Sequence, residues 1–310
     1  MGKLIDGKWQ VQSIVTSDDK GKYSRLPRTF RDTISGDHDT FKPEKNRYHL
    51  YVSYACPWAH RTLIYRHLKS LEDCISVDVV HPHLLENGWS FSSDFEGATG
   101  DRVNGKSFLY EIYQAADPTI TTSVTVPILW DKYTKTIVNN ESSEIIRLFN
   151  TAFNRLTGNT NNYYPESMKS EIDELNNYIY SSINNGVYRA GFAKNQDAYN
   201  EAIENLFPAL EKLDKTLAKH PYLLGNKLTE ADLRLIPTLL RFDLVYYIHF
   251  KTSKKKIADF TNLFRYTKEL YELPAIKQTT HFEHIKAHYY YSHKALNPYQ
   301  IVPDIEPNFG

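Results

Sequence analysis

Cysteine is nearly absent: the 310-residue chain carries two, Cys56 and Cys74. Two are too few for a disulfide framework, and their default state is the reduced thiol. Stability must then come from apolar cores, which this length can bury in roughly two domains. Net charge is absent as well, because 37 basic residues balance 37 acidic ones. No long-range field favours nucleic acid or an anionic membrane, and neither partner is expected. Lys254-Lys255-Lys256 reads as a solvated face. No window approaches the ~18 consecutive apolar residues of a membrane span, and the opening MGKLIDGKWQ has no apolar signal-peptide core. A cytoplasmic location is the expectation. Two chemical motifs are also missing. The third residue after Cys56 is Ala59, so there is no C-x-x-C and no dithiol disulfide mechanism. His281, His284 and His288 recur at helical spacing and His81-Pro-His83 adds a pair. Without an H-E-x-x-H pattern these read as surface or packing residues, and no metal is expected.

What is present divides the chain. Residues 1–45 are polar, with scattered Pro and Gly and no sustained period, and read as an extended arm. From Tyr48 the pattern runs strand, turn, helix: Tyr48-His-Leu-Tyr-Val-Ser-Tyr alternates, then Ala59 onward repeats apolar residues at helical spacing. Cys74–Val80 is a second β-branched run, Thr125–Trp130 and Thr136–Val138 form a hairpin, and Glu141-Ser-Ser-Glu opens a helix. The sum is βαβ then ββα, an α/β domain over residues 46–150, with an Asn- and Thr-rich linker at 151–165. Over 166–310 the β signals fade. Ile172, Leu175, Ile179 and Ile183, then Ile203, Leu206, Leu210, Leu213 and Leu217, predict an all-helical domain. Thr229-Glu-Ala-Asp232 reads as a capping box for a buried helix.

The chemistry centres on Cys56. Amides at a helix N-terminus carry partial positive charge and stabilise a thiolate there, and Pro57 suits a first turn that needs no amide hydrogen. A cysteine taken alone is more often a small buried apolar residue. The strand-Cys-Pro-helix context favours a nucleophile for Cys56, while Cys74 in its apolar run keeps the packing reading. A monothiol needs an external resolving thiol, and glutathione is the abundant one inside cells. Such a tripeptide needs a free strand edge and donors for its carboxylates. A cis bond at Val126-Pro127 would turn the Val126 backbone toward a ligand. Glu141-Ser142 at a helix start can bind a carboxylate through amides and hydroxyl and an ammonium through the Glu side chain, or can simply cap the helix.

Together these residues resemble the cytosolic glutathione transferases that have a thioredoxin-like first domain and a cysteine nucleophile. Phe41-Lys-Pro-Glu, Glu86-Asn-Gly-Trp89-Ser-Phe, Ala116-Asp-Pro118, Thr125-Val-Pro-Ile-Leu-Trp-Asp131, Asn185-Gly-Val-Tyr-Arg-Ala-Gly-Phe192, His288-Tyr-Tyr-Tyr-Ser-His293 and Asn297-Pro298 are similar to the glutathionyl-hydroquinone reductases, the Xi-class and fungal omega-like members. The resemblance covers about residues 40–303. It implies that Cys56 attacks the sulfur of a glutathionyl-hydroquinone and that a second glutathione resolves the mixed disulfide. It also implies that Tyr188 and Tyr289, with Tyr290 as substitute, supply hydroxyls for the departing ring. Trp89 would pack on glutathione, Val126 with Pro127 would pair its backbone, and Glu141 and Ser142 would hold its γ-glutamyl end. A homodimer is implied too. One departure stands out: the family pattern places an arginine just before the Val-Pro motif, whereas residues 107–131 contain no Arg or Lys and Thr122-Ser123 fall there. The glycyl carboxylate is therefore expected to be held differently.

Two rival functions use the same residues. A general omega-type thioltransferase or dehydroascorbate reductase would use the Cys56 mixed disulfide with no proton at a ring carbon. A non-enzymatic binding module would leave Cys56 inert.

Overall fold

The computed structural model describes residues 2–12, 16–24 and 28–309. The parts of the predicted arm and tail at 1, 13–15, 25–27 and 310 lie outside the described residues. Two compact units account for the rest. One holds residues 2–12, 28–162 and 279–288, and the other holds 16–24, 163–278 and 289–309.

In the first unit the predicted arm begins with two short strands, β1 (Gly2–Ile5) and β2 (Lys8–Val11), paired antiparallel. Runs of four residues carry too little alternation to stand out in a sequence. Two further strands, β3 (Thr16–Ser17) and β4 (Tyr23–Ser24), pair in the second unit. The chain then enters β5 (Tyr48–Val52), α1 (Pro57–Leu68) and β6 (Ile75–Val79). A long excursion follows, ending in α2 (Leu109–Ala116) and β7 (Thr122–Ser123), which pairs with β1. The hairpin of β8 (Ile128–Asp131) and β9 (Thr136–Asn139) leads into α3 (Ser142–Thr151).

The main sheet has the order β6-β5-β8-β9, with β5 and β6 parallel and the other pairs antiparallel. This is the βαβ-ββα order expected from the sequence. Every residue of β5 and β8 is buried, as central strands covered on both faces require. The polar members are partnered: the carboxylate of Asp131 takes a two-pronged ion pair from Arg47, at 2.9 and 2.7 Å.

The segment expected as a linker is partly built into this unit. It contains α4 (Asn154–Thr157), and Lys69, 1% exposed, donates its ammonium to the carbonyls of Asn159 and Asn161. Burial pushes the Lys69 ammonium down from its ordinary value.

The second unit is helical, as predicted. It contains α5 (Lys169–Ile179), α6 (Gly186–Gly191), α7 (Gln196–Leu217), α8 (Glu230–Arg241), α9 (Tyr247–His249), α10 (Thr261–Tyr271) and α11 (Pro274–Lys277). Leu206, Leu210, Leu213 and Leu217 form one buried stripe of α7. Thr229 and Asp232 make the capping box of α8. Ile183 lies beyond α5, in a π-helical turn over Tyr180–Asn184, and a second π turn spans Phe242–Tyr246. The last helix, α12 (Phe282–Ser292), has its residues to His288 in the first unit and from Tyr289 in the second. No helix among the described residues is long and apolar enough to cross a membrane.

Candidate active site

Cys56 is the N-cap of α1, with extended backbone (φ −76°, ψ 121°), and Pro57 is the first helical residue. The turn before it is closed by the Cys56 amide donating to Ser53 O at 3.1 Å, and the helix opens with His60 N–H to Cys56 O at 2.9 Å. The thiol does not cap the helix, and no acidic residue sits in the first turn. A negative charge on sulfur there meets the amide ends of the helix, with no carboxylate in that turn. The buried Arg61 guanidinium stacks 4.6 Å over the Trp58 ring in the same turn. Cys74, by contrast, is 2% exposed and burial pushes its thiol up, so it fits the packing reading.

The Val126-Pro127 peptide is cis, and the Cys56 Sγ lies 3.7 Å from the Val126 carbonyl oxygen. The preceding residue is fixed by Tyr113, whose hydroxyl donates to Thr125 O at 2.9 Å and accepts from Asn140 Nδ2 at 3.1 Å. Glu141 caps α3: its carboxylate accepts from the Ser143 amide and hydroxyl, both at 3.0 Å. Ser142 is buried beside it and donates weakly to Glu141 at 3.4 Å. Trp89 sits in the excursion after β6, 6% exposed, with its carbonyl accepting from Leu109 N–H. Thr122 and Ser123, where the family arginine would fall, form β7, and Lys3 stands directly opposite Ser123.

In the second unit, Tyr188 on α6 and Tyr289 on α12 meet at their hydroxyls, 2.5 Å apart. A third hydroxyl, that of Tyr246, lies 3.0 Å from Tyr289. Burial first, and then the neighbouring Tyr188 and Tyr246, push the Tyr289 hydroxyl well above its ordinary range, with Arg241 pulling weakly the other way. Tyr289 is therefore a neutral hydroxyl that can donate at any working pH. Tyr290 is engaged elsewhere, donating to Leu244 O at 2.9 Å. Tyr246 was not legible in the sequence: it sits in an apolar run beside Tyr247, and its π turn, a feature frequent at functional sites, carries no residue signature. Tyr23, on β4, adds an aromatic wall by stacking 6.3 Å from Tyr188.

Among the described residues no group of three or more His, Cys, Asp or Glu side chains could hold a metal ion. The structure thus joins Cys56 to Val126 in one unit and Tyr188 to Tyr289 and Tyr246 in the other. The first unit offers a sulfur at a helix N-terminus and backbone polar groups for a peptide, and the second offers a cluster of tyrosine hydroxyls.

Comparison with known proteins covers almost the whole chain. Residues 55–152 match the family model for the glutathione S-transferase N-terminal domain, and residues 196–269 match that for the C-terminal domain. The glutathionyl-hydroquinone reductase YqjG of Escherichia coli (strain K12) is 51% identical, covering 97% of this chain and 94% of its own length. Its glutathione-bound structure superimposes with a TM-score of 0.89 over 97% of this chain and 94% of that chain, at 50% identity. The glutathione S-transferase Xi of Phanerochaete chrysosporium superimposes with a TM-score of 0.93 over 96% of this chain and 98% of its own, at 49% identity.

Proposed function

Because the chain belongs to the glutathione S-transferase family, among the Xi-class glutathionyl-hydroquinone reductases, we propose that it reduces S-glutathionyl-hydroquinones to hydroquinones with glutathione as reductant. The observation that carries this reading is Cys56 as the N-cap of α1, facing the Val126 carbonyl next to a cis proline.

The Cys56 thiolate attacks the substrate sulfur. A Cys56-glutathione disulfide forms, the bond between sulfur and ring carbon breaks, and its electron pair goes to the ring. Tyr188 gives its proton to that carbon, backed by Tyr289 at 2.5 Å and Tyr246 beyond it. A second glutathione then attacks the glutathione sulfur of the mixed disulfide. It releases oxidised glutathione and the Cys56 thiolate, and its thiol proton restores the tyrosine. The sum is one glutathione oxidised and one aryl thioether converted to an arene C–H. A lone thiol suffices because the resolving thiol comes from solution.

In this reading the Val126 backbone pairs with the cysteinyl unit of glutathione, Pro127 fixes its direction, Glu141 and Ser142 hold the γ-glutamyl end, and Trp89 packs on the tripeptide. The enzyme works as a cytoplasmic homodimer, with a glutathione-binding domain over 46–150 and a substrate domain over 166–310. The test is glutathione-dependent release of menadiol from glutathionyl-menadiol. A thioltransferase of the same fold would reduce a glutathione mixed disulfide through Cys56 yet release no menadiol.

A further inference from the structure

His281, just before α12, and His284 and His288 within it have no part in the reaction above, yet all three are used by the first unit. His281 stacks flat on Tyr54, two residues before Cys56, with ring centroids 3.6 Å apart and planes 14° apart. His284 donates from Nε2 to Glu96 O at 2.6 Å, which leaves its Nδ1 a buried lone pair. The approach is close: a Cβ on Gly97, which has φ +89°, would stand 2.9 Å from that Nε2. His288, 7% exposed, donates from Nδ1 to Pro82 O at 2.8 Å and lies flat on the Trp89 indole, at 4.9 Å and 23°. One imidazole thus grips both ends of the segment 82–89. Trp89 itself makes no side-chain hydrogen bond among the described residues. The stack on His288 is the ring contact the indole makes among the described residues.

We propose that His288 is the positioning residue for Trp89, holding the indole in the orientation that receives glutathione. Resting on the reading of Trp89 as a glutathione contact, the proposal adds a residue that never touches the ligand. A stacked aromatic pair and a buried hydrogen bond each stabilise the arrangement. Part of that is felt at the site, and about tenfold in affinity is the effect expected.

The experiment is a double-mutant cycle on glutathione Kd, measured by calorimetry on the full chain, with KM and kcat for glutathionyl-menadiol reduction alongside. The set is wild type, His288→Ala, His288→Phe, Trp89→Leu and the Trp89→Leu/His288→Ala pair. The proposal predicts that His288→Ala weakens glutathione about tenfold and raises its KM, while kcat at saturating glutathione falls far less. His288→Phe, which keeps the flat ring, should recover most of the loss. In the Trp89→Leu background the further cost of His288→Ala should shrink below about twofold. The same tenfold loss without Trp89 would overturn it, because His288 would then act through something else. An unchanged Kd in His288→Ala with a weakened Trp89→Leu would also overturn it and leave the Trp89 contact standing. If Trp89→Leu itself binds normally, the Trp89 reading fails and the proposal with it.

Discussion

Tyr188 and Tyr289 hold their hydroxyl oxygens 2.5 Å apart across 101 positions of sequence. With Tyr246 at 3.0 Å on its other side, Tyr289 is the middle of a three-hydroxyl chain. A proton leaving Tyr188 would leave an oxyanion that Tyr289 stabilises, and Tyr246 in turn stabilises Tyr289. The chain is suited to one brief proton delivery rather than to a standing tyrosinate, since burial holds Tyr289 neutral.

Tyr188→Phe should therefore lower kcat for glutathionyl-menadiol reduction by about a hundredfold or more, the usual scale for a lost general acid. Tyr246→Phe, two hydrogen bonds from Tyr188, should cost roughly tenfold. Reduction of a glutathione mixed disulfide by both variants should stay within about threefold of wild type. Equal falls in the two reactions would mean that the hydroxyls serve the sulfur and not the ring.

Asp232 is fully buried and accepts four hydrogen bonds: Leu223 N–H at 3.0 Å, Thr229 N–H at 2.9 Å, Thr229 Oγ1 at 3.0 Å and Tyr266 Oη at 2.8 Å. Asp232→Ala should destabilise by about 3 kcal/mol or more in urea unfolding, since four buried donors lose one acceptor. Tyr266→Phe removes one donor and should cost about 1–2 kcal/mol. A loss for Asp232→Ala below that of Tyr266→Phe would show that the box is dispensable.

Acid should weaken the fold through Asp78. Burial pushes its carboxyl up, but the His49 ring 3.3 Å away and hydrogen bonds from the Arg102 amide and guanidinium outweigh this and hold it at about 2, below the ordinary 3.8. A depressed carboxyl stabilises the folded chain above its unfolded value, and the contribution is lost as pH falls toward 2. Asp78→Asn should be about 2 kcal/mol less stable at neutral pH and should lose the pH slope between about 4 and 2. A variant with the wild-type slope would assign the acid sensitivity to other carboxylates.

His284 gives a second window. Burial, opposed by its bond to Glu96 O and reinforced by nearby His81, pushes its ring below the ordinary 6.5. As pH falls below 6.5 the unfolded chain takes up that proton first. The stabilisation is whole above 6.5 and declines beneath it. His81 and His83, also pushed down by burial, add to the same decline. His284→Gln should flatten part of the slope of unfolding free energy between about pH 6.5 and 5, and unfolding titrations of the two proteins at stepped pH would measure it. A slope no flatter than wild type would place that proton uptake elsewhere.

The sequence was most readable where local physics decides the structure. β5, α1 and the Thr229-Asp232 box follow from alternation, a Cys-Pro helix start and a capping pattern, so the strand-Cys-Pro-helix context of Cys56 could be placed in advance. The resemblance marked Tyr188 and Tyr289, but their mutual hydrogen bond joins two segments that no periodicity links. Tyr246 was invisible for the same reason. The histidines of α12 showed their helical spacing but not their partners, because Pro82, Trp89 and Glu96 lie in a segment without period. Short strands such as β1 and β7 take their identity from each other and not from their own residues.

The most direct test is glutathione-dependent release of menadiol from glutathionyl-menadiol by wild type and Cys56→Ser side by side. The wild type should release menadiol with one oxidised glutathione per menadiol, and Cys56→Ser should release none above background. Release that survives Cys56→Ser would contradict the mixed-disulfide mechanism.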